Sequence, residues 1–251
     1  MRLSFARVSS YRRCPYQYRV AWVERIPPTS RPYTKLANAL HLALAAFHRP
    51  GSEGPPTLEG LLDHYWAAWS GFGRLSRYDE QQHAAGEEIL RRYHLGLSGA
   101  WPSTRYVETS FEVQLGPHTL FGRLDRVDET ADGFEIVDYK TAETPARKPD
   151  TLQLDAYCLG LEALVGRLPQ AVSYYYLRSN EKLSFQRTHV DAEATREYLE
   201  GLARAIEADW RLAPTPGAAC ASCPYQVYCP AVTEHPRPIL HGNSGQLSLD
   251  L

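Results

Sequence analysis

Cys14 stands alone near the start of the chain, in Cys-Pro-Tyr-Gln-Tyr. Cys220, Cys223 and Cys229 sit together near its end, in Cys-Ala-Ser-Cys-Pro-Tyr-Gln-Val-Tyr-Cys. The frame Cys-Pro-Tyr-Gln occurs at both Cys14 and Cys223, which suggests two similar ligand loops. Four thiolates without a histidine suit one four-cysteine centre, either iron–sulfur or zinc. Such a centre would pin the two ends of the chain together. Cys158, in Tyr-Cys-Leu-Gly, lies apart and reads as a small apolar core residue.

A second set could do hydrolytic chemistry. Gly122-Arg-Leu-Asp125-Arg runs on into Ile136-Val-Asp138-Tyr-Lys140-Thr. Two residues apart on a strand, Asp138 and Lys140 share a face. A two-residue turn at Asp132-Gly133 would set Asp125 opposite Lys140 and diagonal to Asp138, so the three would converge. Paired carboxylates favour Mg²⁺ or Mn²⁺ over zinc. A lysine beside them can orient water and offset charge building on a phosphate. Asp-x-Lys alone also fits an ordinary surface salt bridge. Here it follows the apolar run Phe-Glu-Ile-Val, so it leaves a core strand. His41 lies within Leu-Ala-Asn-Ala-Leu-His-Leu-Ala-Leu. A histidine on such a face is commonly a core residue, but paired acids elsewhere make it a candidate ligand.

The elements that must position these residues follow from periodicity. Helices are predicted over 36–47, 58–69, 80–97, 152–165 and 192–210, the last with Leu199, Leu202, Ala203, Ile206 and Trp210 on one stripe. Alternation over 105–115 predicts a strand, with Val107, Thr109, Phe111 and Val113 on one face and Glu108, Ser110 and Glu112 on the other. Further strands are predicted over 120–128 and 134–141, and a hairpin over 172–177 and 183–190 around Ser179-Asn180. The order of helices and strands is that of an α/β domain with a mixed sheet. Residues 1–241 read as a single domain, and 242–251 as a flexible tail.

The 251 residues and 43% hydrophobic content can build a sizeable core. The opening lacks the apolar stretch of a secretory signal, and no apolar run reaches membrane-spanning length. The expectation is a cytoplasmic protein, where clustered cysteines mean metal or redox chemistry rather than disulfides. The net charge of −2 argues for no particular partner. Residues 1–35, however, carry eight Lys or Arg against one acid, interleaved with Tyr11, Tyr16, Tyr18, Trp22 and Tyr33. Such a mixture suits single-stranded nucleic acid, and a solvated tyrosine-rich edge fits it equally.

Taken together, these motifs resemble the RecB-like branch of the PD-(D/E)xK nucleases, specifically its iron–sulfur members. Ser9-Ser-Tyr-Arg-Arg-Cys14-Pro-Tyr-Gln-Tyr is similar to the opening of that family. Ala37-Asn-Ala-Leu-His41 is similar to its Gly-x-x-x-His helix, with Ala37 where the glycine usually stands. Gly122-Arg-Leu-Asp125 and Asp138-Tyr-Lys140 match its catalytic strands, and Gln153-Leu-Asp-Ala-Tyr157 its Gln-x-x-x-Tyr helix. The resemblance implies a restriction-endonuclease-like core, a mixed central sheet flanked by helices, with an N-terminal helical part and a C-terminal iron–sulfur clasp. It implies that His41, Asp125, Asp138 and the carbonyl of Tyr139 ligate the divalent metal. Lys140 would assist the attacking water, and Gln153 and Tyr157 would position DNA or brace the site. Cys14, Cys220, Cys223 and Cys229 would hold a [4Fe–4S] cluster. Glu108 is a further candidate, since family members often carry a glutamate near this point.

The implied activity is Mg²⁺- or Mn²⁺-dependent exonucleolytic cleavage of single-stranded DNA or DNA ends, with repair or recombination as the setting. Two other roles fit the same motifs: a CRISPR-associated nuclease trimming DNA for spacer acquisition, and a non-catalytic DNA-binding scaffold. The last six residues, Gln246-Leu-Ser-Leu-Asp-Leu251, resemble the bacterial sliding-clamp-binding hexapeptide. An extended tail would set its leucines into an apolar pocket.

Overall fold

The computed structural model describes residues 1–28, 34–51, 57–73, 76–97, 101–234 and 236–239. The tail peptide Gln246–Leu251 lies outside them. The chain divides into two compact units. One comprises Met1–Leu3 and Tyr33–Ala203; the other comprises Ser4–Pro32 and Arg204–Leu251, the two flanks of the chain.

The larger unit is built on a six-stranded mixed sheet. Its strands are β1 (Arg2–Leu3), β2 (Ser103–Leu115), β3 (His118–Thr130), β4 (Gly133–Lys140), β5 (Ala171–Tyr176) and β6 (Glu181–Phe185). Three helices, α3 (Thr34–Phe47), α4 (Leu58–Ser70) and α5 (Arg77–Gly96), share a core with the apolar side chains Val137, Tyr139, Tyr175 and Leu177 of the sheet. The helix α6 (Leu152–Val165) joins β4 to its parallel neighbour β5. Its fully buried stretch from Ala156 to Leu161 lies against the sheet. α5 starts earlier than periodicity predicts because Ser76 and Asp79 form a reciprocal capping box.

Two further elements differ from expectation. The predicted strand over 183–190 stops at Phe185. Thr188 and Asp191 exchange side-chain-to-backbone hydrogen bonds of 2.8 and 3.3 Å and start helix α7 (His189–Ala208) at that point. The β3–β4 turn also falls one residue earlier than Asp132-Gly133. Thr130 pairs with Gly133, so Ala131 and Asp132 form the two-residue loop. Gly133 takes the left-handed φ of 146° just after it.

One edge of β3 positions the site. β2 pairs with β3 from end to end, but the other edge is shared. β1 pairs with Thr119 and Leu120, and β4 pairs with Arg126 to Thr130. Between them, β4 swings away from β3 at Asp125 while remaining hydrogen-bonded to β5 as far as Lys140. The sheet therefore opens into a notch between two strands.

The smaller unit carries α1 (Phe5–Arg13) and α2 (Pro15–Tyr18), which runs on into a π-helical turn, Arg19–Val23. Short 3₁₀ turns at Ala218–Ser222 and Gln226–Tyr228 hold the C-terminal cysteines. The Tyr16 hydroxyl donates to the Tyr228 carbonyl at 2.7 Å, and the Tyr11 hydroxyl to Asp209 at 2.9 Å, so the early helices are tied to the late segment.

Candidate active site

The corrected turn moves Asp125 opposite Asp138 rather than Lys140, because Arg126 faces Val137 one step earlier. On the other side, Val107–Arg126 and Thr109–Leu124 pairing puts Glu108 across from Asp125. Three acids thus stand side by side on three neighbouring strands. Neither acid pair is joined by ladder hydrogen bonds. Instead, the Asp125 carboxylate accepts the Tyr139 backbone N–H at 3.0 Å. His41, from α3, reaches into the notch: its Nδ1 lies 3.4 Å from Asp125 Oδ2, and its ring meets the Tyr139 ring edge-on at 6.0 Å. The Tyr139 backbone N–H is therefore satisfied by a candidate ligand side chain, as a buried donor requires.

One ligand atom each from His41, Glu108 and Asp125 lies within 4.8 Å of the others. Burial holds His41 below its ordinary value, opposed by the nearby Asp138 charge, so the imidazole is neutral and has a free lone pair. Burial, then the charge of Asp138, pushes Asp125 well above the usual carboxylate range. Burial also raises Glu108, against the pull of Arg123 at 2.7 Å. Glu108 occupies the left-handed region, with φ 47°, which non-glycine residues seldom adopt. Such strain is characteristic of functional sites.

Lys140 lies 2.6 Å from Asp138 Oδ2, yet that buried oxygen receives no directed hydrogen bond. Lys140 instead donates to Gln153 Oε1 at 2.7 Å, and its ammonium lies 4.7 Å from the centre of the Tyr174 ring. Gln153 donates in turn to the Tyr157 hydroxyl at 2.7 Å. Burial, then Asp138 and Asp125, raises Tyr157 well above its ordinary value and keeps it a phenol. The set fits a hard divalent cation on two counts: crowded carboxylates and a neutral imidazole. The candidate residues His41, Asp125, Asp138, Tyr139, Lys140, Gln153 and Tyr157 lie in this one unit, together with Glu108.

Beneath the site lies a polar network that the motifs do not reveal. Arg126, next to Asp125, points the opposite way. It is buried, and it donates to Asp128 at 3.0 Å, Tyr93 at 2.6 Å and Tyr139 at 2.5 Å, with His48 at 3.1 Å. His48 follows His41 by two helical turns, so Arg126 ties α3 and α5 to the strands bearing the acids. The sequence signal was an arginine directly after Asp125, which strand alternation turns to the opposite face without naming its partners.

The four cysteines belong to the smaller unit. Cys14 Sγ accepts the Thr215 N–H at 3.3 Å, and Cys220 Sγ the Gly217 N–H at 3.4 Å. Burial raises the Cys223 thiol, a backbone N–H from Tyr225 opposes it, and Cys14, Cys220 and Cys229 raise it further. Each of the other three is thus close enough to act on Cys223. Among the described residues, no three of the sulfurs lie within 4.8 Å of one another. Cys158 is buried in α6, as expected of a core residue.

A split sheet bearing opposed acids, a histidine and a lysine is the framework of a metal-dependent phosphodiesterase. The chain belongs to the PD-(D/E)XK nuclease superfamily, whose family model matches residues 2–230. It is 24% identical over 207 residues to the Gene 69 protein of Mycobacterium phage D29, covering 71% of this chain and 76% of the phage protein. It also overlaps a crystal structure of a candidate exonuclease from Eubacterium rectale, with a TM-score of 0.49 and 11% identity over 77% of this chain and 73% of that one. Nucleases of this superfamily use divalent metals, and DNA is the substrate the family implies. Among the described residues, no helix is long and apolar enough to cross a membrane.

Proposed function

We propose that the protein is a Mg²⁺- or Mn²⁺-dependent deoxyribonuclease acting on single-stranded DNA or DNA ends, as an exonuclease, in repair or recombination. The observation that carries this reading is the meeting of Glu108, Asp125 and Asp138 at the notch where β4 leaves β3, with His41 and Lys140 beside them. His41, Asp125, Asp138 and the Tyr139 carbonyl would hold the cation, and Glu108 extends that set. The cation supplies positive charge to the phosphate and makes bound water more acidic. Lys140, steered by Gln153, orients the attacking water and offsets charge on the phosphate. Tyr157 stays a neutral phenol and braces Gln153 by accepting its amide N–H. Tight burial around the acids keeps these fields strong.

The four cysteines are the proposed ligands of a [4Fe–4S] cluster, a structural clasp on the smaller unit. Backbone N–H donors to two sulfurs support a thiolate centre. The choice of iron over zinc rests on the resemblance to the iron–sulfur members of the branch. Residues 1–241 would then act as one nuclease domain. Partnership with the sliding clamp through Gln246–Leu251 remains a proposal carried by the sequence alone.

The test is cleavage of labelled single- and double-stranded DNA with Mn²⁺, Mg²⁺ or EDTA. Asp138→Ala and Lys140→Ala should each lose about a hundred- to a thousandfold in rate while retaining DNA binding and iron. Activity like that of the unaltered protein in either variant overturns the assignment. A metal-dependent cut that leaves internal fragments rather than mononucleotides overturns the exonuclease mode alone.

A further inference from the structure

Directly beyond the catalytic strand, the larger unit holds a cleft of about 420 Å³. It is lined by Leu36, Ala37, Thr141, Ala142, Glu143 and Arg178. Ala37 stands one helical turn before His41, and Thr141 directly follows Lys140. The cleft therefore adjoins the candidate site on both of its walls. Its volume is within the range of small-ligand sites.

Among the described residues, Arg178 is the one cation of this lining, and it is built into place. The Leu177 N–H donates to the Lys140 carbonyl at 2.9 Å, which locks the strand end beside β4. Arg178 Nε then donates to the Thr141 carbonyl at 2.9 Å. Its Nη1 pairs with Glu143 at 3.1 Å, but the two partners are unequally held. The arginine side chain is 18% exposed and the glutamate side chain 80%. An exposed carboxylate gains little from such a pair and gives it up easily. A guanidinium presents a planar fork suited to a phosphate.

We propose that this cleft is a nucleotide subsite, in which Arg178 binds the backbone phosphate next to the scissile one and displaces Glu143. The apolar wall of Leu36, Ala37 and Ala142 takes the sugar or base of that nucleotide. Recognition is through charge and shape, without reading a base edge, which suits a nuclease indifferent to sequence. Glu143 acts as a tethered anionic competitor that keeps the arginine paired when DNA is absent. The subsite rests on the nuclease reading of the adjoining acids.

The experiment uses the full chain, Mn²⁺ and short labelled single strands, each with one uncharged methylphosphonate linkage moved stepwise away from the cut. In the unaltered protein, one linkage beside the cut should raise KM about ten- to a hundredfold when neutralised. Arg178→Ala should show that raised KM on fully charged DNA and lose all sensitivity to the same linkage. Glu143→Gln should lower KM, a gain that loss of a merely structural ion pair would not give. Arg178→Gln, which keeps a donor for the Thr141 carbonyl, replaces Arg178→Ala if the latter does not fold. Equal KM values in the arginine variants and the unaltered protein overturn the subsite and leave the nuclease standing. Undiminished linkage sensitivity in those variants does the same. If the unaltered protein cuts no DNA with either metal, the nuclease reading fails and takes the subsite with it.

Discussion

Gly160→Ala should destabilise the protein, against the ordinary expectation for a glycine within a helix. Helix propensity alone makes alanine better than glycine by about 1 kcal/mol. Gly160, however, lies in α6 against the ring of Phe111 on β2. A Cβ there would sit 2.5 Å from Cγ and 2.7 Å from both Cδ atoms. The ring cannot retreat, because its far side already presses on Gly122, where a Cβ would meet Cζ at 2.7 Å. Overpacking of this kind costs about 1–3 kcal/mol, and the pinned ring sets it near the upper end. After the propensity gain, the net loss is about 2 kcal/mol, or about 4–8 °C in Tm for a unit of this size. The same push moves α6 outward and carries Gln153 away from Lys140, now 2.7 Å apart. A displacement approaching 1 Å should lower kcat by up to about a hundredfold. Thermal melts and initial rates should be measured for Gly160→Ala, Phe111→Leu and the double variant. The smaller side chain should recover part of both losses in the double variant. A rise in Tm for Gly160→Ala, or strict additivity in the double variant, would refute the reasoning.

Two further outcomes are expected. His48 is buried beside Arg126, and burial, aided by that cation, lowers its pKa to about 2. An unfolded histidine takes up its proton near pH 6.5, so the stabilisation is complete above that value and falls as pH drops below it, by about 2 kcal/mol at pH 5. His48→Gln should remove this much of the pH dependence between pH 8 and 5 in urea melts, and an unchanged slope would sink the idea. Cys223→Ser should lose iron and acid-labile sulfide, whereas Cys158→Ala should keep both, since burial pushes that thiol up to about 12 and leaves it inert. Stoichiometric zinc in an iron-free protein would refute the cluster without touching the nuclease.

Much of the site was legible because strand spacing fixes which face a side chain takes. Moving the turn from Asp132-Gly133 to Ala131-Asp132 changed every partner across the hairpin by two positions. Two is the period of a strand, so Asp125 kept its face and exchanged Lys140 for Asp138 as its neighbour. The turn signal erred because Gly133 serves the left-handed backbone just after the loop rather than the loop itself. Glu108 was harder to read. Alternation grouped it with Ser110 and Glu112, which are exposed, whereas Glu108 is drawn in towards Asp125 and His41. Arg126 and Arg178 escaped altogether. Their partners, Tyr93 and Glu143 among them, come from elements that no local pattern links to those arginines.

The notch itself explains why two glycines flank Phe111. Gly122 belongs to the Gly-Arg-Leu-Asp motif, but it contributes no polar side chain and no positive φ. Its role follows from packing: β3 must lie close under the Phe111 ring, and α6 must lie equally close above it at Gly160. That ring also meets Tyr157 edge-on at 5.9 Å. Asp125 is three residues along β3 from Gly122, and Gln153 and Tyr157 are on the helix that Gly160 lets in. The motif glycine therefore serves the chemistry at one remove, by setting the distance between the strand that carries an acid and the helix that steers the lysine. A variant filling either gap should impair catalysis without altering a single charged group.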